Sequence, residues 1–146
     1  MELTAQYKFP GTTARVWDLL MDPQAISACL PGCEAFDPLG GDRYRVALNT
    51  GVAAITGSFE GTVEMADKNP LVSYRLTVDG RGRPGFVKGG ATITLVDDGG
   101  GVTVHVAGVA QIGGLIAQVG QRLLGATARM MMDRFFNCLQ SRLRVD

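Results

Sequence analysis

From residue 2 the chain alternates: Leu3, Ala5, Tyr7 and Phe9 are apolar, whereas Glu2, Thr4, Gln6 and Lys8 are polar. A period of two predicts a half-buried strand. Pro10-Gly11 breaks it, and Thr12 or Thr13 can cap a short helix carrying Val16, Trp17, Leu20 and Met21. Asp22-Pro23 stops that helix and starts a second, with Asp22 as N-cap and Pro23 in the first helical position. Pro31-Gly32 ends the second helix. From residue 42 the period is two again. Tyr44, Val46 and Leu48 form one inward set, and Ile55, Phe59, Val63 and Met65 the next. Val72, Tyr74, Leu76 and Val78 follow, then Val87, Ala91, Ile93 and Leu95, and finally Val102, Val104, Val106 and Ala110. Asp97-Asp98-Gly99-Gly100-Gly101 reads as a hairpin turn between the last two of these strands.

After Gly113-Gly114 the period becomes helical for about thirty residues. Ile116, Val119, Leu123, Thr127 and Met130 share one face and are expected to meet the core. Met132 and Phe136 fall on roughly the opposite side, which would make that side a contact surface for another chain, a second copy included. The order is therefore strand, two short helices, about six strands and one long helix. An α+β fold satisfies every apolar face: a curved antiparallel sheet wrapped on a long C-terminal helix. No linker, repeat or low-complexity tract divides residues 1–146, which read as one domain.

Composition narrows the function. Of 146 residues, 46% are hydrophobic and 19% charged, so a disordered chain is excluded. Fourteen Lys+Arg balance fourteen Asp+Glu, which argues against nucleic acid as a partner. The charge is nonetheless uneven: residues 80–146 carry eight basic against four acidic side chains, with Arg122, Arg129, Arg134, Arg142 and Arg144 on the long helix. Weak, salt-sensitive contact with an anionic lipid surface is expected from them. No segment is apolar for the ~18 residues of a membrane span, and the N-terminus lacks a signal-peptide pattern. Three cysteines at no framework spacing predict reduced thiols and a cytoplasmic protein.

The search for chemistry yields little. His105, the single histidine, has the polar parity of its strand and is expected to point outward, which discounts Ser-His-Asp and Cys-His devices. Three thiols and one outward imidazole do not make a zinc site. Gly80-Arg81-Gly82-Arg83-Pro84-Gly85 spells G-x-G-x-x-G but precedes a strand, and Pro84 removes a backbone donor, so the glycines are read as bends. Asp97-Asp98 lie in a turn, and Glu60 and Glu64 have the polar parity, so no carboxylate pair has an apolar setting. No catalytic residue, metal site or cofactor is predicted.

A cavity is predicted instead. An inner sheet face with Gly57, Gly61, Gly89 and Gly108 is short of side chains, and native interiors are close-packed, so the deficit suggests room for an apolar guest. The expected lining is Ile55, Phe59, Tyr74, Leu76, Val87 and Ile93 on the sheet, facing Val119, Leu123 and Met130 on the helix. Leu30 and Pro31 would border the mouth.

Trp17-Asp18-Leu19-Leu20-Met21-Asp22-Pro23, followed by Leu30-Pro31-Gly32-Cys33-Glu34, resembles the CoxG-like family of carbon monoxide dehydrogenase subunits. Gly57-Ser58-Phe59-Glu60-Gly61, the stretch from Gly80 to Ala91, and Gly113 to Gly120 agree with it, so the likeness spans nearly the whole chain. The resemblance implies a START-like, helix-grip fold that holds a lipophilic guest, a quinone being one candidate. It further implies a non-catalytic accessory of a molybdenum hydroxylase-type dehydrogenase, working at the inner membrane face. Some members carry a hydrophobic C-terminal extension; residues 1–146 contain none, so the membrane contact expected here is peripheral. Two other readings stay open: a polyketide cyclase or hydratase-like enzyme of the same superfamily, and a docking protein with a filled core.

Overall fold

A computed structural model describes residues 1–52 and 55–145. β1 (Glu2–Phe9) is followed by α1 (Thr13–Met21) and α2 (Pro23–Cys29). The strands β2 (Cys33–Gly40), β3 (Arg43–Val52), β4 (Ile55–Asn69), β5 (Ser73–Gly82), β6 (Gly85–Asp97) and β7 (Val102–Gly113) come next. A 3-10 turn, Leu115–Val119, leads into α3 (Gln121–Val145). Both short helices start as their sequences dictate: the Thr12 side chain accepts from the Arg15 N–H at 3.2 Å, and the Asp22 carboxylate accepts from the Gln24 N–H at 3.0 Å. The strands form one antiparallel sheet in the order β1-β7-β6-β5-β4-β3-β2. Its register places Tyr7 opposite Val104, Val106 opposite Ile93, Ile93 opposite Tyr74, and Leu76 opposite Met65. The inward sets read from the period of two therefore share one face. Val72 is the exception, exposed just before β5 begins.

α3 packs against β1 near one edge of the sheet and β3 near the other, so the sheet curls round it. Phe136 stacks on Tyr7 with ring centroids 4.4 Å apart and meets Phe9 edge-on. Tyr7 donates its hydroxyl to Asp133 Oδ1 at 2.6 Å, and Arg129 donates to the Thr4 carbonyl at 2.6 Å. The helix face therefore differs from the one expected. Leu124, Thr127, Phe136, Leu139 and Leu143 are buried and Met132 is half-buried against the core, while Val119, Leu123 and Met130 are exposed. The cause is a break in the helix. The sequence reads as one helix from Gly114, but the 3-10 turn ends at Gly120, whose φ of +93° suits glycine. α3 restarts after it with a new rotation.

The cysteines also differ from expectation. Cys29 at the end of α2 and Cys138 on α3 are joined by a disulfide, with Cα atoms 5.4 Å apart, although 109 residues separate them in sequence. Cys33 is free and half-buried.

Candidate functional site

The inner face of the sheet carries two apolar clusters rather than one. The larger joins Tyr74, Ile93, Leu95, Val104 and Val106 to Val16, Trp17 and Leu20 of α1, Ala25 and Ile26 of α2, and Phe136 and Leu139 of α3. The smaller joins Ile55 and Phe59 to Ile116 of the 3-10 turn and Leu124 of α3, with Val87, Ile112 and Met131 against it. Between them the sheet presents Leu48, Val63 and Val78, all half-buried although their strand parity is inward.

The glycines explain how this space is shaped. At Gly61 a Cβ would run into the backbone of Asp79, at Gly82 into that of Ser58, and at Gly89 into that of Val109. At Gly108 it would press on Ala91 and the Gly90 carbonyl, and at Gly57 on the Pro84 ring. These residues let neighbouring strands approach and bend; they do not leave holes, contrary to the expectation for Gly57, Gly61, Gly89 and Gly108. The room lies at Gly80, opposite Gly61 and Val87 on the inner face, where a Cβ would meet nothing within 4 Å.

Of the expected lining, Ile55, Phe59 and Val87 come together at one end of the grip, and Tyr74, Ile93 and Leu76 at the other. Val119, Leu123 and Met130 do not join them; Ile116, Leu124, Thr127 and Met131 take the helix side. Leu30 and Pro31 are half-buried between α2 and β2. Gly32 ties that turn to β3: its carbonyl accepts from the Asn49 N–H at 2.8 Å, its φ is +76°, and a Cβ there would strike the Asn49 backbone. Leu48, Val63, Val78 and Gly80 escaped the sequence reading of the site. Their parity was readable, but their half-burial depends on where α3 lies.

Polar groups are sparse on this face. Burial, reinforced by the bond to Asp133, raises the Tyr7 phenol well above its ordinary range, and burial alone does the same to Tyr74. His105 is half-buried on β7, paired with Gln6 and Thr94, on the parity opposite Val104 and Val106. The G-x-G-x-x-G letters form the β5–β6 turn, closed by the Gly82–Gly85 pair. Two grooves lie on the outer face. One of about 470 Å³ is bounded by Glu2, Thr4, Arg75, Thr92 and Val109, and one of about 450 Å³ lies beside Arg81, Phe86 and Lys88.

One end of the molecule combines apolar and basic exposure. The Ile116 N–H donates to the Pro84 carbonyl at 2.7 Å, fixing the 3-10 turn on the β5–β6 turn. Leu115 (65% exposed) and Leu123 (56%) protrude there with Val119, and Arg81 and Arg83 of the β5–β6 turn and Arg122 at the start of α3 are exposed as well. The apolar surface expected from Met132 and Phe136 is thus found on the other side of the helix; the Arg144 side chain lies outside the described residues. Among the described residues, no helix is long and apolar enough to cross a membrane.

A curled antiparallel sheet gripping a long C-terminal helix, with two short helices after its first strand, defines the helix-grip, START-like class. A START superfamily protein from Mycobacterium smegmatis shares the fold, with a TM-score of 0.79 at 10% identity over 98% of this chain and 97% of that one. A protein from Thermus thermophilus does so at 0.73 and 16% identity, over 99% and 98%. A conserved protein from Geobacillus kaustophilus is similar at 32% identity, with a TM-score of 0.96 over 99% of this chain and 95% of its own. No curated protein matches the chain significantly in sequence. The profile of the CoxG family of carbon monoxide dehydrogenase subunits matches residues 6–144, and the chain belongs to that family.

Proposed function

We propose that this chain is a non-catalytic carrier that holds a lipophilic guest, a quinone being one candidate, beside a molybdenum hydroxylase-type dehydrogenase. The observation that supports the reading is the loose packing of the inner sheet face beside Gly80. Leu48, Val63 and Val78 are half-buried there, and Gly80 opens onto free space between two packed clusters. An apolar guest gains on the order of 25 cal/mol for each Å² removed from water. A quinone-sized body would then bind at micromolar level once association is offset. Family membership supports the dehydrogenase as partner. The half-buried carboxylate on α3, Asp133, already accepts the Tyr7 hydroxyl, which favours a carrier over a cyclase-like enzyme.

The exposed leucines and cations around the 3-10 turn support peripheral contact with an anionic membrane at the same end of the grip. Incubation with anionic liposomes containing a quinone, followed by gel filtration and solvent extraction of the protein peak, tests the reading. The quinone should co-elute with the wild-type protein, and Leu115→Glu with Leu123→Glu should slow its transfer. A protein peak free of quinone at every lipid concentration would rule out the carrier.

A further inference from the structure

We propose that the Tyr74 hydroxyl is the polar recognition point of the grip, donating a hydrogen bond to a neutral acceptor oxygen on an otherwise apolar guest. This rests on the carrier reading above and adds the chemical class of the guest. Tyr74 stands on the inner face of β5, opposite Ile93, with its ring held edge-on by Trp17 at a centroid distance of 5.6 Å. It is 4% exposed. Yet no group among the described residues hydrogen-bonds its hydroxyl, in contrast to Tyr7, whose hydroxyl is taken by Asp133. No fully enclosed side-chain polar atom among the described residues lacks a partner, so the Tyr74 oxygen is reached by solvent although the residue is buried.

An unpaired hydroxyl in apolar surroundings is unfavourable, and phenylalanine would fill the same place without that cost. The hydroxyl is therefore free to take a partner from outside the chain, water or a guest oxygen. Burial keeps the phenol protonated far into the alkaline range, so it serves as a donor. Its inner-face neighbours Leu76, Val78, Ala91 and Ile93 carry no charge, which selects a carbonyl or ester oxygen over a carboxylate. That oxygen could belong to a quinone or to an acyl lipid.

Equilibrium dialysis of wild type and Tyr74→Phe against menadione, methyl laurate and 2-methylnaphthalene separates these cases. Tyr74→Phe should weaken an oxygen-bearing probe about three- to tenfold, the factor a neutral hydrogen bond supplies. It should leave 2-methylnaphthalene unchanged, and the probe affected identifies the source of the oxygen. Equal affinities of both proteins for every probe would mean that water is the only partner and would overturn the proposal, leaving the carrier intact. A wild type that binds none of the three would overturn both. Should Tyr74→Phe unfold, the ¹³Cζ resonance of Tyr74 in the wild type decides: it moves on adding menadione or methyl laurate but not 2-methylnaphthalene if the hydroxyl donates, and responds alike to all three if it does not.

Discussion

Gly61 and Gly80 face each other across β4 and β5, yet their surroundings are opposite. A methyl group on Gly61 would enter the Asp79 backbone, whereas one on Gly80 would enter open space. Gly61→Ala must push two strands apart, and over-packing of that kind costs about 1–3 kcal/mol. Gly80→Ala removes the entropic penalty of a glycine inside a strand and should stabilise by about 0.5–1 kcal/mol. The two variants should therefore differ by about 1.5–4 kcal/mol in urea unfolding followed by the fluorescence of Trp17. Gly80→Leu extends the argument to function: the larger side chain should occupy the guest's place and remove lipophile binding while the protein stays folded. The reasoning is refuted if Gly80→Ala is destabilised as much as Gly61→Ala, or if Gly80→Leu binds a lipophile as the wild type does.

The rotation of α3 predicts that Leu124→Ala costs about 2–4 kcal/mol by leaving a cavity, while Leu123→Ala stays within about 0.5 kcal/mol, as chemical denaturation will show. Reduction of Cys29–Cys138, which closes a loop spanning 109 residues, should lower stability by about 2–5 kcal/mol. A thiol assay on the unreduced, denatured protein should find one reactive cysteine per chain. Tyr7 and Tyr74 hold their protons more tightly folded than unfolded, so their contribution is fully present below the unfolded value of about 10 and falls as pH rises above it. Absorbance at 295 nm should show these two ionising only as the protein unfolds in alkali.

The strands and both short helices were legible in the sequence because their signals are local. A period of two fixes which of Tyr74, Leu76 and Ile93 share a face, and Thr12, Asp22 and Pro23 mark helix starts through their own chemistry. β2 was the exception: the sequence predicts no strand over residues 33–40, where Asp37, Pro38 and Gly40 interrupt the alternation. What depended on distant partners was not legible. The Gly120 break resets the rotation of α3, so Val119, Leu123 and Met130 were assigned to the core in place of Leu124 and Phe136. The Cys29–Cys138 bond needs the packing of α2 on α3, which no spacing reveals. Gly61 and Gly80 look alike in sequence, and only the neighbouring backbone separates a close approach from a void. Of the candidate lining, Ile55, Phe59 and Val87 were therefore readable from parity, whereas Leu48, Val63, Val78 and Gly80 on the sheet and Leu124 and Met131 on the helix were not.

The central claim is that a lipophile sits between the inner sheet face and α3. Methyl-resolved NMR of the purified protein, titrated with menadione, tests it most directly. Saturable shifts should concentrate at the methyls of Leu48, Val63, Val78 and Val87, with Leu124 and Met131 responding from the helix side. Shifts confined to exposed Leu115, Leu123 and Val109, or no saturable shifts, would contradict the account.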